Sequence, residues 1–99
     1  RLTMTKVTVL CWQEIPSVVE AKDEHGTKKV PLSQRFVELI DMIAMRRGLA
    51  GSDDYLMQWQ KEGRPDRDGA AADVAAAIAQ EIEAKFDEIR ELAIQVGRD

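Results

Sequence analysis

The stretch Leu32–Gly48, LSQRFVELIDMIAMRRG, most constrains the fold, because its start, its apolar face and its end all indicate one helix. Ser33 follows Pro31 and Leu32 and can cap the free N–H groups of a first turn. Gly48 supplies the left-handed residue that commonly ends a helix. Apolar residues recur between them at helical spacing and predict a broad buried stripe: Phe36, Val37, Ile40, Ile43 and Ala44. The rest of the chain needs this stripe as a packing surface.

Residues 6–31, before this helix, predict a small sheet. Lys6–Ile15 is rich in β-branched and aromatic residues and favours a strand that is central or covered on much of both faces, ended by Pro16. Ser17–Asp23 alternates as a second strand, and DEHG has turn composition. Thr27–Val30 is then a short edge strand whose lysines discourage pairing with other chains. The expected arrangement is a three-stranded antiparallel meander.

The pattern of the second half of the chain predicts two further helices. Residues 32–62 read as a helical pair, because Ser52 can cap a second helix that Gly63 ends. Residues 63–69, GRPDRDG, lack periodicity and indicate a polar loop. Residues 70–96 predict one long helix with apolar residues seven apart.

These predictions describe a single α+β domain. Its fold class is a three-stranded antiparallel sheet followed by three helices packed on one face, the last helix being long. Residues 1–5 are expected to be a flexible start. Ninety-nine residues, 44% of them hydrophobic and 32% charged, are typical of a soluble globular domain with a modest core.

Charge and hydropathy limit the classes of partner and the location that we expect. A net charge of −4 argues against nucleic acid, since nucleic-acid-binding domains usually carry a basic face. No apolar run approaches the roughly 20 residues that cross a bilayer, and nothing near the start resembles a signal peptide. We therefore expect no nucleic acid, no membrane and a cytoplasmic location.

The sequence offers no catalytic or metal-binding pattern. One cysteine, Cys11, and one histidine, His25, cannot form a Cys/His zinc site within one chain. Cys11 alternates with valines and favours a small core residue over a nucleophile. His25 lies beside Gly26 in a predicted turn and favours a solvated residue. We expect no catalytic residues, no metal and no cofactor.

Two groups of residues are candidates for binding. Four arginines could gather around an anion, although helix-dipole complement and a solvated loop explain them more simply: Arg46, Arg47, Arg64 and Arg67. Three aromatics could form a partner surface, although most such residues belong to the core: Trp12, Tyr55 and Trp59. The seven-residue spacing of the last helix suggests self-association, but a helix lying across its own sheet shows much the same pattern.

The order of several sequence segments also suggests a protein family. KVTVLCWQEIPSVVEAKD, KVPLSQRFVELIDMIAMRRGLAGSDDYLMQW, GRPDRDG and an alanine-rich helix follow one another over nearly the whole length. This order resembles a family of small bacterial proteins named virulence factor and common in proteobacteria. The resemblance carries no catalytic residues. It implies an accessory role in one-carbon metabolism, in folate- or corrinoid-dependent methyl transfer.

Two functions remain open at this point. The first is a non-enzymatic accessory domain that binds a larger protein or associates with itself through the last helix. The alternative is a small-ligand-binding subunit that recognises an anionic cofactor or metabolite with the arginines and an aromatic wall. An enzyme working alone through Cys11 or His25 is the least favoured reading, because neither residue has an evident activating partner.

Overall fold

The structure, a computed structural model, describes residues 4–96. These residues form an α+β fold with a four-stranded antiparallel sheet and four helices. The strands are β1 (Met4–Trp12), β2 (Ile15–Asp23), β3 (Gly26–Pro31) and β4 (Trp59–Asp68). The helices are α1 (Gln34–Arg46), α2 (Asp53–Met57), α3 (Ala71–Ala84) and α4 (Phe86–Val96).

The sheet has the order β3-β2-β1-β4. The predicted meander forms its first three strands, and β1 is central, as its apolar composition indicated. The prediction of three strands was wrong, because β4 pairs antiparallel with the free edge of β1 from Met4–Asp68 to Trp12–Trp59. Residues 4 and 5, expected to be a flexible start, already belong to β1, and residues 1–3 lie outside the described range.

Strand β4 replaces the predicted loop 63–69 and the predicted end of the second helix. Trp59 is half-buried, and the remaining residues of this strand are exposed. An edge strand that is exposed on both faces has no apolar alternation to reveal it. Pro65 is tolerated there, at a register shift in the pairing with β1, because an edge strand need not donate every N–H. Strand β4 is stabilised by pairing with β1 and not by burial of an apolar face of its own.

The connection from β1 to β2 also differs from the prediction. Gln13 and Glu14 form a two-residue turn, and Gln13 has a φ of 51°. Pro16 lies inside β2 rather than ending the first strand. It sits opposite Cys11 where the register shifts by one residue, and such an irregularity accommodates a proline in an interior strand.

Helix α1 confirms the predicted element but begins differently. Its buried residues are Phe36, Leu39, Ile40, Ile43 and Ala44. Val37, expected in the stripe, is exposed. The Ser33 side chain accepts no N–H of α1. Instead its backbone N–H and hydroxyl both donate to the carboxylate of Glu83, at 2.6 and 2.8 Å, so α3 supports the start of α1.

Helix α2 is shorter than predicted, ending at Met57. Ser52 caps it as expected, with its hydroxyl accepting from the Tyr55 N–H at 3.3 Å. Asp53 and Asp54 occupy the first turn, where the helix dipole favours negative charge.

The predicted long helix 70–96 is broken at Lys85. There the Lys85 N–H bonds the Ile82 carbonyl, three residues back, and the backbone leaves the helical region at φ −101° and ψ 11°. The break turns Phe86 onto Phe36 of α1, with ring centroids 5.0 Å apart in an edge-to-face arrangement. A continuous apolar spacing concealed this change of direction, because α3 packs on the sheet and α4 packs on α1.

The helices contact different strands of the sheet. Helix α3 crosses β1, β2 and β3, whereas α1 contacts β2 and α2 contacts β4. The end of α1 lies at the β1–β2 turn, where Arg47 donates hydrogen bonds to Gln13 and Glu14.

Candidate functional site

Side chains alternate between two faces of the sheet, and these faces differ in burial. The covered sheet face, under α3, includes Val7, Val9, Val19 and Ala21, each at most 1% exposed. The open sheet face consists of the alternate residues of the same strands from Lys6 to Leu10 and from Val18 to Lys22, with their partners on β3 and β4. A depression of about 150 Å³ in it is lined by strand residues alone: Thr8, Leu10, Val18, Glu20, Lys29 and Lys61.

Strand register fixes the layout of the open sheet face. Leu10 and Val18 are paired neighbours on β1 and β2, and Thr8 pairs with Glu20. Lys29 lies beyond Glu20 on β3, and Lys61 lies beside Leu10 on β4. The floor of the depression is therefore partly apolar and partly polar, and each of the two edge strands contributes one lysine.

The open sheet face is basic although the chain is acidic. Lys6 and Lys22 are paired and exposed on it, in addition to Lys29 and Lys61. The register places two acids on it, Glu20 and, opposite Met4, Asp68. The Lys61 ammonium lies 3.8 Å from the Glu20 carboxylate with its side chain 65% exposed, so this pair constrains the lysine weakly. Against a net charge of −4, this local excess of positive charge favours an acidic partner.

The three aromatic candidates form one cluster. Trp12 is fully buried, and its Nε1–H donates to the Tyr55 carbonyl at 2.9 Å. Its ring lies 5.4 Å from that of Tyr55, which in turn meets Trp59 at 6.4 Å. Trp12 thus serves the core. Trp59 is half-buried two residues before Lys61 on β4, at the margin of the open sheet face.

Three of the four arginines are held by separate carboxylates. Arg47 pairs with Glu14 at 2.8 Å, and also donates to the Ala93 carbonyl. Arg67 pairs with Glu81, and Arg64 pairs with Glu62. Arg46, one residue away from Arg47, is exposed.

These ion pairs surround a cleft of about 220 Å³ between β4 and the α3–α4 break, which we name the β4 cleft. Arg67 reaches Glu81 at 2.7 Å and Arg64 reaches Glu62 at 3.2 Å. The lining is mixed in charge and partly apolar: Cys11, Glu14, Pro16, Glu62, Arg64, Glu81, Ile82, Lys85 and Ile89. The structure thus gathers Arg47, Arg64 and Arg67 around one cleft, each joined to a carboxylate that lines it.

The ion pairs lower the pKa of the carboxyl groups at this cleft. The Arg47 hydrogen bond is the main cause for Glu14, and the Arg67 hydrogen bond is the main cause for Glu81. Both groups are therefore ionised at neutral pH, and neither is suited to donate a proton there. A second anion would have to compete with them for the guanidinium groups.

Cys11 and His25 are not arranged for catalysis. Cys11 is buried, and burial together with the charge of Glu62 raises the pKa of its thiol to about 11, so the thiol is protonated at neutral pH. His25 lies in the β2–β3 turn with its side chain 82% exposed. The two residues do not share a site.

Sequence reasoning missed the open sheet face. It attributed the lysines of residues 27–30 to edge protection and assigned Lys61 to a helix. The alternation of Val18, Glu20 and Lys22 was a usable signal, because it placed charge on the face opposite Val19 and Ala21. The contribution of Lys61 required the pairing of β4 with β1.

Over residues 4–96, no helix is both long and apolar enough to span a membrane. Within the same residues, no three or more histidine, cysteine, aspartate or glutamate side chains are grouped to hold a metal ion.

Comparison with known proteins identifies a family for this chain. Neither the curated proteins nor the solved structures include a match to the chain. The family model described as virulence factor matches residues 10–94, a span from the middle of β1 to near the end of α4. The chain therefore belongs to the virulence factor family.

Proposed function

We propose that this chain is a non-enzymatic accessory domain that acts by binding another protein through its open sheet face. The observation that carries this proposal is the depression lined by strand residues alone, which no helix of residues 4–96 helps to line. A half-buried apolar pair surrounded by flexible cations resembles the centre and rim of a protein interface.

The chemistry of the remaining groups supports a binding role. The thiol of Cys11 is protonated and buried, and the acids at the β4 cleft are committed to arginines. Alanine at Cys11 and His25 should leave the cellular function of the protein intact. Loss of that function in a folded variant would favour an enzyme instead.

The proposed setting is the cytoplasm, with a larger enzyme of one-carbon metabolism as partner. This part of the proposal rests on the family resemblance, and it names where a partner should be sought: among folate- or corrinoid-dependent methyltransferases. It is independent of the surface through which the partner binds.

The test is affinity purification of the tagged protein from its native host, with quantitative mass spectrometry. Wild type is compared with Leu10→Glu on the open sheet face and with Lys28→Glu as a matched control. Lys28 is exposed on β3 but pairs with Ala21, so it belongs to the other face. We expect one stoichiometric protein that Leu10→Glu removes at least tenfold and Lys28→Glu retains. If no stoichiometric protein depends on Leu10, the proposed function is wrong.

Self-association through the last helix is a further part of the proposal. Leu92 and Val96 lie four residues apart on α4, and they are 60% and 62% exposed. Such a pair offers one apolar stripe to a second copy. Light scattering after size exclusion should show a dimer that Leu92→Glu converts to a monomer. A wild-type monomer at high micromolar concentration would remove this part.

An anion-binding subunit is the second candidate. The β4 cleft favours it, because Arg64 and Lys85 line this cleft beside the apolar Ile82 and Ile89. Folates and inorganic phosphate would raise the melting temperature if the folded state binds them. Lys85→Gln should abolish that rise. No rise at millimolar ligand would exclude this candidate.

A further inference from the structure

We infer that a second copy of this chain pairs with the outer edge of β4, so that two sheets join across a two-fold axis at Gly63. This inference goes beyond the proposed function, because it concerns an edge of the sheet and neither the open sheet face nor α4. The sheet order leaves β4 at one edge, and no strand of residues 4–96 pairs with its outer side.

The pairing with β1 determines which face of the sheet each β4 side chain occupies. Glu62 and Arg64 lie opposite β1 valines of the covered sheet face, so they are on the side of α3. Gly63 lies opposite Thr8 and belongs to the open sheet face. The Glu62 carboxylate accepts a hydrogen bond from Arg64 Nε at 3.2 Å, with the two side chains 56% and 38% exposed. Both charges are therefore accessible to a chain that adds to this edge.

Two-fold symmetry allows few registers for such a pair, and charge distinguishes them. Residues opposite each other in an antiparallel pair share a face, so the axis must pass where one residue meets its own copy. An axis at Lys61, Glu62 or Arg64 would oppose two like charges, which is destabilising. An axis at the register shift beyond Arg64 would place that residue opposite Arg67. An axis at Gly63 instead places each Glu62 opposite Arg64 of the second copy.

Charge and proline on an edge strand often only discourage pairing, and β3 illustrates that case. Its exposed Lys28 and Lys29 have one sign, so they repel a second β3 edge. Strand β4 has charges of both signs, in an order that leaves one central register free of repulsion. Pro65 lies two residues from the proposed axis, at the register shift, where the loss of one N–H leaves the central residues able to pair.

The joined sheet has eight strands and continuous faces. A two-fold axis perpendicular to the sheet keeps both open sheet faces on one side and both α3 helices on the other. The β4 cleft, which Glu62 and Arg64 line, then adjoins its equivalent in the second copy. One strand pair buries a small area, so we expect a dissociation constant of about 1–100 µM.

Complementation between two charge variants tests the inference. Glu62→Arg would oppose two cations in its own dimer, and Arg64→Glu would oppose two carboxylates. In an equimolar mixture of the two variants, every opposed pair has opposite charges again. Sedimentation equilibrium from about 10 µM to about 1 mM should show wild-type dimers, at least tenfold weaker association of either variant alone, and restored association in the mixture. Lys28→Glu, on the other edge strand, is the matched control and should dimerise as wild type does.

A disulfide measures the register independently. A Cβ at Gly63 has no heavy atom within 4 Å, and its φ lies outside the left-handed region, so Gly63→Cys is tolerated. Residues opposed at a two-fold axis have Cβ atoms about 4.5–5.5 Å apart, within reach of a disulfide after a small shift. Gly63→Cys should therefore form a covalent dimer in air-saturated buffer. Lys61→Cys should not, because two residues on each side of the axis separate its copies by about 13 Å.

Several results would overturn the inference. One is a wild type that stays monomeric at about 1 mM, and another is a mixture that associates no better than its components. A covalent dimer of Lys61→Cys without one of Gly63→Cys would place the axis elsewhere. Dimers lost in Leu92→Glu but kept in Glu62→Arg would assign self-association to α4, which supports that part of the proposed function and contradicts the β4 pairing. A monomer whose native partner both charge variants lose would assign the β4 edge to another protein.

Discussion

The two faces of the sheet are built from alternate residues of the same strands, yet one is core and the other is surface. Val19 is fully buried under the helical layer, and its neighbour Val18 is half-buried in the open depression. The difference arises because α3 crosses three strands on one side, while the open depression is lined by strand residues alone. Identical residue types one position apart thus belong to the core in one case and to the surface in the other.

The sharpest test of this comparison is the pair Val19→Asp and Val18→Asp. An unpaired carboxylate at Val19 should cost about 4 kcal/mol or more, close to the whole stability of a small domain, so cooperative urea unfolding should be lost. The same change at Val18 should cost under about 1 kcal/mol, since water reaches that side chain. Equal losses would mean that the open sheet face is covered in solution.

A second pair of variants measures how much polar contacts stabilise the packing of the helices. Arg47 is 14% exposed and links α1 to the β1–β2 turn and to the Ala93 carbonyl of α4. Arg47→Met should lower the free energy of unfolding by about 1–2 kcal/mol, reduced because Glu14 is partly exposed. Arg46→Met, on the exposed neighbour, should change it by under about 0.5 kcal/mol. Similar values for the two variants in urea unfolding would contradict this assignment.

Acid should lower the free energy of unfolding, because two carboxyl groups that bond to the helical layer have lowered pKa values. Hydrogen bonds from the Ala71 and His25 N–H groups lower the pKa of Asp23. Partial burial raises the pKa of Glu83, but hydrogen bonds from Ser33 and Arg35 outweigh it, so the net shift is downward. Groups with a lowered folded pKa stabilise the fold above their ordinary values of about 3.9 and 4.3, and this contribution is lost as pH falls below them.

Urea midpoints measured from pH 7 to pH 3 check this dependence. We expect little change above pH 5 and a decline below about pH 4.5. Asp23→Asn should flatten the decline, and Glu38→Gln, on the exposed side of α1, should leave it unchanged. A midpoint that rises on acidification would reverse the expected sign.

The smallest effect concerns the open sheet face itself. Lys29→Glu/Lys61→Glu should change the free energy of unfolding by under about 0.5 kcal/mol, because both lysines are exposed and the Glu20 contact is weak. Thermal unfolding followed by circular dichroism measures this change. A large loss would mean that the lysines are structural and are not free to contact a partner.

The sequence predicted the elements that bury a regular apolar pattern. The first three strands, α1 and the capped start of α2 all followed from spacing and capping residues. Strand β4 was missed because it buries almost nothing, and only its partner β1 specifies it. The break at Lys85 was missed because apolar spacing indicates that residues are buried but not which surface they pack against.

The candidate site was predicted less well for the same reason. Trp12, Tyr55 and Trp59 were candidates for a partner surface because they are large aromatics. Their cluster depends on the pairing of β4 with β1. The sequence left open whether the arginines converge, and a carboxylate from another element holds each of Arg47 and Arg67. Contacts between residues far apart in sequence determine both groups.

The position of β4 beside β1 also sets the order in which the chain can fold. The β1–β2 hairpin closes through a two-residue turn, whereas the Thr5 hydroxyl reaches the Gly69 carbonyl across 64 residues. Contacts of such separation form late, because the intervening chain must first be ordered. Until β4 arrives, the most apolar strand of the protein is an unpaired edge. On a ribosome this interval lasts until residues 59–68 emerge, so slow translation through α1 and α2 would prolong the time in which β1 can pair with another chain.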